Sequence, residues 1–130
     1  MKLVQLFIII IFLSACSSTP KRYENDLIGV WGNSDDGGKT FWGYNEYLVN
    51  GVTRAWGTFQ KSEESYELEG VYKIEYSSSP KSCITVTKSS IPDILPIGHY
   101  FCSEIVELNQ THFKFIFHSV ISYSERLARF

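Results

Sequence analysis

The sequence predicts an all-β domain, a small antiparallel up-and-down barrel, with a β-sandwich as the alternative. Three observations carry this. Aromatic residues make up 15% of the chain, with three Trp and eight Tyr, and aromatic side chains fit a pleated, half-buried surface. From Asp26 onwards the chain breaks into roughly seven or eight short strand-like runs separated by turn residues, the pattern of sandwiches and barrels. One of those breaks is Asn50-Gly51, the strongest short hairpin signal.

Ahead of that domain come Lys2 and a nearly unbroken apolar run from Leu3 to Leu13, interrupted by Gln5 and followed by Ser14, Ala15 and Cys16. A membrane-crossing helix needs about 20 apolar residues, so a run ending at Ser14 is too short for a permanent span. An ordinary secretory signal has a small residue at the −3 position of its cleavage site, where Leu13 stands here. Leu13-Ser14-Ala15-Cys16 resembles the lipobox of bacterial lipoproteins, which runs aliphatic, small, small, Cys. That resemblance implies that residues 1–15 are a signal peptide and that Cys16 becomes a diacylglycerol-bearing N-terminus, its acyl chains (palmitate, for instance) held in a membrane. Residues 16–25 would be a lipidated flexible tether, since Ser17-Ser18-Thr19-Pro20-Lys21-Arg22 has no hydrophobic period. Ser17 stands where enteric lipoproteins retained in the inner membrane tend to carry Asp. By that analogy the protein is exported to the outer membrane, facing the periplasm.

The β domain is expected over residues 26–130. Leu27 to Trp31 opens it as a strand, and Asn33-Ser34-Asp35-Asp36-Gly37-Gly38 reads as a polar, flexible loop. Thr40–Val49 and Val52–Gln60 flank Asn50-Gly51 as a hairpin with a type I′ turn, which needs positive φ at both central residues. Tyr66 to Tyr76 is the cleanest strand: Tyr66, Leu68, Gly70, Tyr72, Ile74 and Tyr76 fall on one face, and Glu67, Glu69, Lys73 and Glu75 on the other. Cys83–Lys88 and His99–Leu108 follow, joined by the apolar, Pro-containing loop Ile91–Ile97. Asn109-Gln110-Thr111 makes a turn, and His112–Phe117 places three Phe on one face. Val120–Leu127 suits either a final strand or a short helix.

Gly29-Val30-Trp31 resembles the G-x-W motif on the first strand of lipocalins and lipocalin-like bacterial domains. The resemblance implies that Trp31 closes the barrel base beneath an arginine from the end of the barrel, with Arg126 and Arg129 as candidates. A guanidinium stacked on an indole is favourable.

With Cys16 acylated, Cys83 and Cys102 remain as an even pair in an oxidising compartment, where such pairs form disulfides. The loop they close, about 20 residues, is worth about 3 kcal/mol in the chain-entropy model. Parity allows the bond: with Ile84, Val86, Phe101 and Ile105 inward, both cysteines face outward. Val106 and Leu108 share the parity of Cys102, so the strand then requires a bulge or is buried on both faces.

The formal charge is −2, and removing Lys2 with the signal takes it to −3. No basic patch stands ready to neutralise phosphates, so nucleic acid is not an expected partner. His112 and His118 would stand about 20 Å apart on one strand, and no zinc-type spacing is present. Setting Gly38 as the glycine of a calcium loop puts Tyr44 where a Glu is needed. Gly32-Asn33-Ser34 starts like a nucleophile elbow but lacks its second glycine. An enzyme is not expected, nor is a metal or cofactor.

The aromatics exceed what a small core needs. Either they fill a tight barrel, as in small barrels generally, or some of them line an apolar pocket, the candidates being Trp42, Trp56, Tyr72 and Phe113, with Arg54 alternating between Val52 and Trp56. If that face is internal, Arg54 would receive a carboxylate or headgroup; if external, it is solvated. The sequence therefore points to an envelope lipoprotein whose barrel binds a small hydrophobic or amphipathic ligand. The alternative is a non-enzymatic assembly factor, pilot or inhibitor that meets an envelope protein partner through loop Ile91–Ile97.

Overall fold

The computed structural model describes residues 22–128; the lipobox, Cys16 and Arg129 lie outside them. A short helix, α1 (Tyr23–Leu27), precedes eight strands: β1 (Gly29–Ser34), β2 (Gly43–Tyr47), β3 (Val52–Thr58), β4 (Ser65–Glu75), β5 (Lys81–Ser89), β6 (Tyr100–Leu108), β7 (His112–Phe117) and β8 (Val120–Ala128). Each strand pairs antiparallel with the next, and β8 returns to β1, closing an up-and-down barrel with no free sheet edge. Among the described residues no helix is long and apolar enough to cross a membrane.

The barrel has two unlike ends. The base gathers α1, the β2–β3, β4–β5 and β6–β7 turns and the end of β8; the mouth gathers the other four connections. Leu27, Trp31 and Leu108 have no exposed surface, and with Tyr47, Ile105 and Phe113 they form the core at the base. Leu27 is the last residue of α1, not the first of a strand, and its carbonyl accepts the Trp31 indole N–H at 2.7 Å. Residues 23–25, assigned from sequence to the tether, belong to this helix. Tyr76, just past β4, clasps it: its ring stacks on Tyr23, its hydroxyl donates to the Glu24 carboxylate, and it accepts from the Tyr23 N–H. That is why Tyr76 is half-exposed although it continues the inward parity of β4.

The Asn50-Gly51 hairpin forms with a different turn. Gly51 alone takes positive φ, at 82°, and its N–H donates to the Leu48 carbonyl at 3.2 Å. The loop is therefore Val49-Asn50-Gly51, a β-turn followed by one left-handed glycine, rather than a two-residue type I′ turn. The Asn50 side chain accepts from the Val52 N–H and so fixes the third residue in place. β2 starts only at Gly43, later than Thr40, and β1 runs on through Asn33 and Ser34. The following loop is held by one carboxylate. Asp36 accepts hydrogen bonds from the Lys39 and Thr40 N–H groups and from the Ser34 and Thr40 hydroxyls. Those donors, the Thr40 hydroxyl foremost, hold its pKa near 2.

Cys83 and Cys102 form a disulfide as directly opposed residues of β5 and β6. The register of β6 shifts between Ile105 and Glu107. Of the two ways to reconcile the parity of this strand the chain takes the bulge, which turns Leu108 into the core while Val106 stays exposed. Val120–Ala128 is a strand throughout, which the closure onto β1 needs.

Candidate ligand-binding cavity

Above the base the barrel is hollow. A cavity of about 330 Å³ extends from Trp31, Tyr47 and Ser82 on its floor to Trp42, Phe59 and Leu95 at the mouth. Its room comes from small inward residues on β2 and β3. Gly43 and Gly57 are cross-strand partners, and the Tyr66 hydroxyl lies across both. A methyl group at either position would come within 3 Å of that oxygen. Thr53 and Ala55 continue the same wall.

The two walls differ. On the β8–β1–β2 side, Ser124 donates to the Asn33 side-chain carbonyl, and the Asn33 amide donates to Asn45 at 2.8 Å. Asn33 and Ser124 are almost fully buried, so this network satisfies groups that would otherwise be costly inside the barrel. The opposite wall is apolar, with Leu68, Ile84, Val86, Phe101, Phe115 and Phe117. Among the described residues two buried side-chain polar atoms lack partners, the Trp42 indole Nε1 and the Ser82 hydroxyl; both residues line the cavity. Burial pushes the Tyr66 phenol upward. Tyr47 is pushed further, by burial first and then by the neighbouring Tyr72. The Ser82 hydroxyl eases that shift slightly, but the two side chains do not meet in hydrogen-bond geometry.

The floor is closed by Trp31 and Arg126. The Arg126 guanidinium lies 4.4 Å from the Trp31 ring centroid and donates to the carbonyls of Asp26, Ile28 and Gln110. One cation therefore satisfies the chain leaving α1, the β6–β7 turn and the indole face together. Phe113 meets the other side of this layer, edge-on to Trp31 with centroids 5.8 Å apart.

The structure separates the candidate ligand residues. Trp42 and Phe113 line the cavity. Tyr72 faces inward but is spent at the base: its hydroxyl donates to the Leu48 carbonyl at 2.7 Å and its ring meets Tyr47 edge-on. Arg54 and Trp56 lie on the outside. Arg54 pairs with Glu46 at 3.3 Å and Glu69 at 3.6 Å, and Trp56 stacks on Tyr44. Cross-strand pairing explains the inversion, because Thr53, Ala55 and Gly57 are the inward residues of β3. Asn33, Asn45, Tyr66, Ser82 and Ser124 had not been singled out from the sequence. Their signal is parity alone: Asn33 follows Trp31 by two, and Ser82 precedes Ile84 by two.

Glu75 groups with the two cysteine sulfurs, but both sulfurs are committed to the disulfide. His112 sits beside the Thr111 hydroxyl at the base, while His118 occupies the β7–β8 turn at the mouth.

No family model and no curated protein matches the chain. Solved structures do. The chain is similar to a lipocalin-like protein from Bacteroides uniformis ATCC 8492, with TM-score 0.56 and 15% identity over 78% of this chain and 99% of that one. The fold is lipocalin-like. An uncharacterized protein from Bacteroides eggerthii DSM 20697 shares it, with TM-score 0.52 and 14% identity over 77% and 98% of the two chains. At these identities the likeness concerns the barrel fold alone.

Proposed function

We propose that the protein is a lipid-anchored, non-catalytic binding protein of the bacterial envelope, whose barrel holds one small, largely apolar molecule. The observation that carries this is the cavity of about 330 Å³ with two buried polar atoms left unpaired in its lining. Buried polar groups are ordinarily satisfied, and a mostly apolar pocket with a few placed polar groups is the usual form of a ligand site. The anchor is supported by the lipobox sequence Leu13-Ser14-Ala15-Cys16, and the outer-membrane, periplasm-facing address by Ser17.

Native mass spectrometry of the full chain purified from its own cells tests the binding role. A single added mass that leaves on mild activation is expected; a bare chain, with no saturable quenching of Trp31 and Trp42 by any apolar probe, contradicts it. Palmitate labelling of the protein and of Cys16→Ser tests the anchor, and equal label in both removes it.

A second reading has its own observation. Ile94 and Ile97 are 63% and 68% exposed, on the same loop whose Ile91 and Leu95 line the cavity. That apolar projection suits an envelope protein partner. Crosslinked pull-down with the Ile94→Ser/Ile97→Ser variant as control would show a partner lost; the same proteins in both samples would dismiss it.

A further inference from the structure

The geometry points to an uncharged ligand: an apolar body of roughly a dozen non-hydrogen atoms that carries a hydrogen-bond acceptor for Trp42 near the mouth and a polar group for Ser82 on the floor. This rests on the binding role above and names the class of molecule bound.

The size follows from volume. A water-sized group in a liquid occupies about 30 Å³, so about 330 Å³ holds roughly a dozen such groups. The polarity follows from which groups have partners. In the polar wall, Asn33, Asn45 and Ser124 bond to one another, and the Thr53 hydroxyl is spent on the Glu46 carbonyl. Of the fully buried polar side-chain atoms in the lining, Trp42 Nε1 and Ser82 Oγ are left without a partner. An indole N–H can only donate, so its complement on the ligand is a carbonyl, ether or hydroxyl oxygen. Ser82, 3% exposed, donates or accepts.

Charge is excluded by what surrounds the space. Among the lining residues Glu69 alone carries a formal charge, and its carboxylate lies on the outer surface between Lys88 and Arg54. The cationic candidate Arg54 is outside as well. An ionised ligand headgroup placed beside Ser82 would meet no charged side chain in the lining, because the Arg126 guanidinium stacks on the Trp31 ring and gives its N–H groups to the Asp26, Ile28 and Gln110 carbonyls. It would also lose its hydration, a large cost. The cavity's own phenols report the same penalty, since burial disfavours the ionised form of both Tyr47 and Tyr66.

Three chain-matched probes test this on the full chain by isothermal titration calorimetry: 2-decanone, decanoate and decylammonium. The ketone is expected to bind one per chain, about tenfold or more tighter than either ion. Trp42→Phe should weaken the ketone about two- to tenfold and narrow its lead over the ions. Ser82→Ala serves as a second variant, with the thermal melt of each recording that it folds. Equal or tighter binding of decanoate or decylammonium overturns the inference and leaves the binding role standing. Unchanged ketone affinity in both folded variants overturns the assignment of Trp42 and Ser82. Saturable binding of none of the three contradicts the binding role itself.

Discussion

At the base of the barrel, Trp31, Leu27 and Leu108 have no exposed surface, and one arginine collects three backbone carbonyls and an indole face. Higher in the barrel, on β2 and β3, Gly43, Gly57 and Ala55 face inward, a buried indole N–H has no partner, and the walls enclose about 330 Å³. The difference teaches a division of labour. Close packing at one end holds the barrel shut, so the other end is spared from filling its interior and can leave polar groups for something else to satisfy.

If that division is real, equal truncations should cost unequal amounts at the two ends. Trp31→Ala removes the closing ring and leaves Arg126 without its stacking face, and about 3–5 kcal/mol of unfolding free energy should be lost. Phe117→Ala, at the mouth, should cost only about 1–2 kcal/mol, because its ring already borders empty space. Urea melts of both variants make the comparison; similar losses would mean that the mouth is as densely packed as the base.

The disulfide comes next in size. Cys83 and Cys102 lie outside the cavity, so Cys83→Ala/Cys102→Ala should cost about 3 kcal/mol through the unfolded chain and leave ligand binding unchanged. Altered affinity would show that the bond shapes the cavity wall.

The paired glycines sharpen the comparison within the mouth itself. A methyl at Gly57 would meet the Trp42 carbonyl oxygen at 2.6 Å and the Gly43 Cα at 2.8 Å. These are backbone atoms that cannot swing aside, so Gly57→Ala should lose about 1–3 kcal/mol. At Gly43 the nearest clash is the Tyr66 hydroxyl, the far end of a side chain that can rotate. Gly43→Ala should therefore be milder and should act on binding, by moving Tyr66 into the cavity.

Much of the fold was legible because most strands keep one wet face. β4 alternates Glu and Lys against Tyr, Leu and Ile, and the clash of parity between Cys102 and Leu108 narrowed β6 to a bulge or a two-sided strand. The cavity was illegible for the converse reason. A hollow interior relaxes the rule that large apolar residues face inward, so Thr53, Ala55 and Gly57 are inside while Val52, Arg54 and Trp56 are outside. Asn33 likewise reads as a loop residue until its partners Ser124, 91 positions away, and Asn45 are brought beside it. Tyr72 has the right parity but the wrong height, a coordinate that alternation does not carry.

The smallest expected effect concerns the loop beside the mouth. Asp36 is held near pKa 2, below its ordinary 3.8. Its contribution is therefore fully present above about pH 4 and is lost as pH falls towards 2. Asp36→Asn should be slightly less stable than the parent at neutral pH, and that gap should close between pH 4 and 2. Paired melts across this range check it; a gap independent of pH would remove the carboxylate from the account.

The contrast between a filled base and a hollow mouth is tested most directly by a crystal of the protein pressurised with xenon, which enters dry apolar cavities. The account predicts xenon between Leu68, Phe101 and Phe115 and none among Leu27, Trp31 and Leu108. Trp42 and Phe59 folded inward, with no xenon above the base, would contradict it.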